Sequence, residues 1–214
     1  MKKIKLPIVL LALILSCSVS MGQSYIGVFG GLNHSKLSGD PPSQGKYKKL
    51  LGGNFGALID VKLSKDFYLS FQPSYSQDGT KVFYTVKGEE EPVDSVKLRL
   101  NYFSLPVLLK ISSTNERFYA LAGIEAAMLI NNWVKTVSTE EELTDLSQWN
   151  VTAHFGAGIN IPLGYPNMFV ELRYSQGLLN LTDEPLSNNI IPRVKTTGFK
   201  LLTGIRIPLK NPKK

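Results

Sequence analysis

Along most of the chain the apolar and polar residues alternate with a period of two rather than 3.6, which predicts β-strands of about ten residues and no membrane helix. Leu100–Ile111 shows the pattern best. One parity gives Phe103, Leu105, Val107, Leu109 and Ile111, and the other gives Tyr102, Ser104, Pro106, Leu108 and Lys110. Seven further segments repeat this logic: 25–35, 54–63, 67–77, 117–129, 149–161, 169–178 and 198–209. Pro106 argues against a helix and, inside a strand, removes one ladder donor, so a bulge or widened pairing is expected there.

The two parities differ in a way that selects the solvent. Phe55, Ala57, Ile59, Val61 and Leu63 interleave with Asn54, Asp60 and Lys62, and Val170, Leu172 and Tyr174 interleave with Glu171, Arg173 and Ser175. Every mid-strand charge falls on one parity. An Arg or Lys on a lipid face near the bilayer midplane costs about 2–4 kcal/mol, so this sorting is what a membrane barrel requires. A secreted β-sandwich would also alternate, but its charged parity would face water and carry many more charges per strand. The segments between strands agree. Short turns lie at 64–66, 112–116 and 163–167, and longer polar stretches at 36–52, 78–96, 130–148 and 179–196. The expected fold is therefore all-β, an eight-stranded antiparallel up-and-down transmembrane β-barrel with short periplasmic turns and longer extracellular loops.

Charge changes this picture little. Of the net +7, Lys2, Lys3 and Lys5 contribute three, leaving +4, and Lys210, Lys213 and Lys214 supply three of those. No basic stripe with interleaved aromatics remains, which argues against nucleic acid as a partner. Residues 1–22 have the charged, apolar and small-residue parts of a secretory signal, with cleavage expected after Gly22. A rival reading makes Cys17 a lipid-bearing cysteine. The domain division is thus 1–22 signal peptide, 23–209 outer-membrane barrel and 210–214 basic tail. Cys17 is the only cysteine, so the mature chain has no disulfide, thiol nucleophile or cysteine metal site.

An eight-stranded barrel is just wide enough for its own side chains to fill. The inward charges Asp60, Lys62, Lys110, Glu125, Glu171, Arg173, Lys200 and Arg206, with Arg117 at a strand start, are therefore expected to form a structural network of mixed sign. Parity permits a register opposing Glu171 to Gly158, Arg173 to Gly156 and Ser175 to His154. A triad of His154, Ser175 and Glu171 fails on distance, because Glu171 and Ser175 lie some 13 Å apart along one strand. No catalytic residue, cofactor or metal site is expected. The first long loop is basic (Lys36, Lys46, Lys48, Lys49) and the next two acidic (Glu89–Glu91 with Asp94, and Glu140–Glu142 with Asp145), which predicts a solvated loop crown. The acids lack the spacing of a calcium loop. Trp133, Trp149 and Tyr165 near strand ends suit an interfacial girdle.

These residues together resemble the PorT-like outer-membrane β-barrel family of Bacteroidetes-type bacteria. The resemblance rests on Gly-Gly-Leu-Asn at 30–33, Asn-Tyr-Phe-Ser-Leu-Pro-Val-Leu-Leu-Lys at 101–110, and Gly156-Ala157-Gly158-Ile159. It continues through Glu171-Leu172-Arg173-Tyr174-Ser175-Gln176-Gly177-Leu178 to Gly204-Ile205-Arg206-Ile207. It implies an eight-stranded barrel in the outer membrane and assigns no activity. The chain end also resembles the signal read by barrel-insertion machinery, departing from it at Leu202 and in the tail to Lys214. The expected partners are outer-membrane lipid and that machinery, and the expected role is that of a non-enzymatic plugged barrel that is structural or binds a surface ligand. The alternatives are a narrow porin-like channel and an accessory subunit of an envelope or secretion complex.

Overall fold

The computed structural model describes residues 24–40, 45–84, 94–135, 140–141, 146–182 and 193–209. Residues 1–23 and 210–214, where the signal peptide and basic tail were expected, and most of the acidic loop residues (89–91, 142 and 145, and the side chains of 94, 140 and 141) lie outside these descriptions. Ten strands run β1 Tyr25–Gly39, β2 Gly45–Lys62, β3 Phe67–Phe71, β4 Ser74–Tyr84, β5 Asp94–Ser112, β6 Phe118–Lys135, β7 Glu140–Glu141, β8 Trp149–Pro162, β9 Asn167–Gly177 and β10 Val194–Pro208. β3 and β4 are two halves of one stave. β7 is a two-residue addition paired only to Val134 and Lys135. The remaining pairings join sequence neighbours antiparallel, and β1 pairs with β10 to close a ring of eight staves. Closure leaves no edge, which lipid demands because it offers backbone groups no partner.

The paired positions fix the geometry of the ring. Ile26 opposes Ile59, and the row continues through Phe71, Val107, Ile124, Ala153, Gln176 and Thr197. Thr197 opposes Lys36, ten residues further along β1. With the usual strand rise and spacing, that stagger tilts the staves by about 40°. The row passes through the outward set expected from sequence. Phe55 (61 %), Phe118 (61 %) and Phe155 (57 %) stand exposed in this apolar wall, as a surface that meets lipid leaves them.

The strands differ from the sequence reading in length, and the Pro106 expectation is met on one side only. The staves run well past their expected ends: 45–53 in β2, 78–84 in β4, 94–99 in β5 and 130–135 in β6 continue as paired strand. Beyond the lipid band the outward face meets water while Leu50, Val82 and Leu98 stay buried inside, so the apolar-out, polar-in alternation ends there although pairing continues. The pairing of Pro106 with β6 is unbroken, and the register shift on β5 falls instead at Asn101/Tyr102. The interruption lies on the opposite side, at Gln72–Pro73, where β3 gives way to β4 with no change of register. The Gln72 amide donates to the Pro106 carbonyl at 3.1 Å, while Pro106 has no N–H to return. Pro73 likewise accepts from Ala57 at 3.0 Å and returns nothing. Two prolines thus each omit one ladder bond, on opposite sides of a single stave.

Candidate functional site: the barrel lumen

The inward side chains stack in layers, which can be followed from the periplasmic end. The turn after β5 holds Glu116 at a positive φ of 53°, a conformation that costs a non-glycine residue roughly 1–2 kcal/mol. Its carboxylate accepts from Lys62 Nζ at 3.1 Å, from the Tyr68 hydroxyl at 3.0 Å and from the Tyr25 hydroxyl at 3.4 Å. Partial burial would raise its pKa, but the bonds from Lys62 and Tyr68 outweigh that and hold it below the ordinary glutamate value. Lys62, expected inside the lumen, therefore belongs to this rim, and Arg117 is exposed beside it.

Above the rim, Asp60 on β2 bonds to Lys110 Nζ on β5 at 3.2 Å and to Arg206 on β10 at 3.0 Å. Lys110 also lies 3.9 Å from Glu171 on β9, which accepts the Tyr119 hydroxyl at 2.8 Å. Arg173 donates to Glu171 and, with its other arm, to Gln72. Gln72 lies on the third stave and Arg173 on the seventh, so this one side chain bridges opposite walls of the eight-stave ring. Asp60, Glu171 and Arg173 are almost fully buried.

A second layer lies nearer the extracellular end. Glu125 on β6 bonds to Lys200 Nζ at 3.2 Å and to His154 Nε2 at 3.1 Å, and His154 Nδ1 meets Ser175 Oγ at 3.0 Å. With Nε2 protonated the imidazole donates to the carboxylate and accepts from the serine. Asp78, which falls in a loop on the sequence reading, lies on β4 and accepts from Asn33. These layers hold four acids (Asp60, Asp78, Glu125, Glu171) and four bases (Lys110, Arg173, Lys200, Arg206). Their formal charges cancel, as a low-dielectric lumen requires.

Register provides the room. Glu171 opposes Gly158, Arg173 opposes Gly156, and Ser175 opposes His154, the register that parity permits. A Cβ added at Gly158 would lie 2.3 Å from Tyr119 Cζ, so the ring that anchors Glu171 rests directly on this glycine. Gly158→Ala is expected to displace Tyr119 and cost about 1–3 kcal/mol. Gly30→Ala, whose Cβ would meet nothing nearer than 3.8 Å, should change little. Urea midpoints of the two variants in lipid vesicles check the contrast.

The extracellular end is closed by hydrocarbon. Leu37, Leu98, Leu100, Tyr102, Ala127 and Val194 meet Leu181, which folds in from the segment after β9. Leu181 N donates to Val194 O at 2.8 Å, and its own carbonyl accepts from Ser147 N at 2.8 Å. A space of about 10 Å³ borders the second charged layer beside Asp78, Glu125, Ser175 and Lys200, room for about one water.

Glu125, His154 and Ser175 form the acid–imidazole–hydroxyl chain that a nucleophile needs, with Glu125 taking the place that Glu171 cannot reach. The space beside Ser175 measures about 10 Å³, whereas a nucleophile must lie within reach of a substrate carbonyl. Among the described residues no three His, Cys, Asp or Glu side chains converge to hold a metal ion. Of the aromatic residues expected at the interfaces, Trp149 and Tyr165 are exposed at opposite ends of the barrel, while Trp133 lies under Arg99 at 5.2 Å.

Comparison with known proteins gives the lineage. No curated protein matches the sequence. Among solved structures the chain is similar to Ail, the attachment invasion locus protein of Yersinia pestis (17 % identity, TM-score 0.46, covering 87 % of this chain and 100 % of that one). It is also similar to Neisserial surface protein A (12 %, 0.46, 85 % and 96 %) and to the outer membrane protease OmpT of Escherichia coli (8 %, 0.44, 91 % and 99 %). The sequence profile of the outer membrane protein beta-barrel domain matches residues 20–183. That match agrees with the closed ring of eight staves: the chain belongs to the outer membrane protein beta-barrel domain family, and its place is the bacterial outer membrane.

Proposed function

We propose that this is a non-enzymatic barrel whose lumen is permanently plugged, and that it serves the outer membrane as a structural or surface-binding component. The observation that carries this reading is Arg173 reaching across the lumen to Gln72, backed by the apolar cap around Leu181. A solute would have to break buried ion pairs and then displace hydrocarbon, and either step costs several kcal/mol. The side chains of the layers act on each other, and the described space beside Ser175 measures only about 10 Å³. Functional contacts therefore fall to the outer wall and to the hairpins that rise above the lipid.

Within the family, the motif 101–110 and the Glu171–Leu178 run favour the PorT-like group of Bacteroidetes-type barrels. Residues 1–22 are the secretory signal of this proposal, and Gly204–Leu209 is the segment offered to the insertion machinery. An envelope partner would meet the hairpin tips. The competing reading is a narrow channel. Purified protein in planar bilayers is expected to give no reproducible open-channel steps, and stable unitary conductance in the wild-type chain would replace the plug with a pore.

A further inference from the structure

On the outer wall, where β9, β10, β1 and β2 run side by side, a groove of about 320 Å³ opens just above the lipid-facing residues. Its floor is the Tyr174–Phe199 ring pair, with centroids 5.3 Å apart. The Thr197 hydroxyl donates to the Tyr174 hydroxyl at 3.2 Å, which donates to Gln176 Oε1 at 2.8 Å, so the polar edge of the floor is held in one arrangement. Over it stand Lys36 and Lys49, the latter with its ammonium 5.2 Å from the centre of the Phe199 ring. No carboxylate among the described residues pairs with either lysine.

Height identifies the solvent that this groove meets. Lys36 lies ten residues along β1 from Ile26, which at the tilt derived above is about 25 Å along the membrane normal. A barrel's apolar band is also about 25 Å tall. Below the ring pair the wall continues as Leu32, Leu201 and Leu172, all exposed to lipid. The two ammoniums thus sit at the level of the outer-leaflet headgroups, directly above a track for acyl chains. A headgroup phosphate is an anion delivered at this level.

We propose that this groove binds a phosphate-bearing lipid of the outer leaflet. In it Lys36 and Lys49 hold the phosphate, the Tyr174–Phe199 pair supports the headgroup, and the acyl chains lie along Leu32, Leu201 and Leu172. Two lysines on one phosphate, in a site partly shielded from water, form charge-assisted bonds with no competing internal carboxylate. The proposal concerns the outer wall and stands or falls separately from the plugged lumen.

The test uses the mature chain refolded in octylglucoside micelles, which carry neither charge nor phosphate, and native mass spectrometry to count retained lipid. The probes are lipid A bearing phosphate, dephosphorylated lipid A, and inorganic phosphate. Wild-type protein is expected to bind phosphorylated lipid A at least roughly tenfold more tightly than the Lys36→Ala/Lys49→Ala double variant does. Dephosphorylated lipid A should bind the wild type only as well as the double variant binds the phosphorylated form. Lys49 is exposed and Lys36 half-buried, and heat-modifiable gel mobility confirms that the variant is folded. A Lys81→Ala/Lys97→Ala variant removes the same charge elsewhere on the wall and should bind as wild type. Equal loss in that control would reduce the effect to general surface charge and overturn the site. So would undiminished binding in the double variant, or inorganic phosphate displacing the lipid completely at equal concentration, which would make the groove a soluble-anion site.

Discussion

Arg173→Ala is expected to destabilise the barrel by about 3–5 kcal/mol, the cost of leaving a buried charge without its partner. Glu171 would keep only the Tyr119 hydroxyl and a Lys110 ammonium at 3.9 Å that is already engaged by Asp60. Gln72 would lose its cross-lumen donor. Arg173→Lys retains the charge but has a single point of donation in place of a fork, so it cannot serve both acceptors and should lose an intermediate amount. Urea unfolding in phospholipid vesicles, followed by tryptophan fluorescence, measures both. An alanine variant with the wild-type midpoint would show that the strut contributes nothing to stability.

The Glu125–Lys200 pair should behave as a strongly coupled unit. Glu125→Leu alone leaves the Lys200 ammonium almost fully buried without its partner and takes the acceptor from His154, an expected cost of about 3–5 kcal/mol. Adding Lys200→Met removes the stranded charge, and the double variant should return to within about 1–2 kcal/mol of wild type. The double-mutant cycle, read from the same urea midpoints, is expected to give a coupling of several kcal/mol. Simple additivity of the two substitutions would mean that the pair is not the principal partner of either charge, and that Asp78 carries Lys200 instead.

How far the sequence carries this account depends on the length scale of each feature. Inward and outward sets are a property of single strands, and alternation along 54–63 or 169–178 yields them directly. The pairing of Glu171 with Gly158 follows from parity and from the need for a small residue opposite a long one. Contacts across the lumen follow from neither. Arg173 meets Gln72, and Asp60 meets Arg206, because the whole ring is staggered by ten residues, and no segment encodes that stagger alone. Single-residue shifts at Lys49/Asn54 and at Asn101/Tyr102 change partners beyond the lipid band without leaving a compositional trace. Asp78 was hidden for a related reason: over 78–84 polar and apolar residues fall on both parities, with Val82 on one and Phe83 on the other, so an inward carboxylate looks like a loop residue. Glu116 was hidden because its role comes from a turn conformation, and Leu181 because it enters the lumen from a connection rather than a strand.

The closing seam imposes an order of events on assembly. Asp60 and Glu125 are made early, while Arg206 and Lys200, the cations that engage them, both lie on β10, the last stave. Until β10 zips against β1, Glu125 lacks its lysine and Asp60 has Lys110 alone. A partly inserted sheet therefore carries under-compensated acid on its inner face and stays hydrated there. When the last stave docks, hydrogen bonding of the seam, neutralisation of both layers and expulsion of lumen water occur together. Closure of the seam thus couples the pairing of β10 with β1 to charge compensation in both layers.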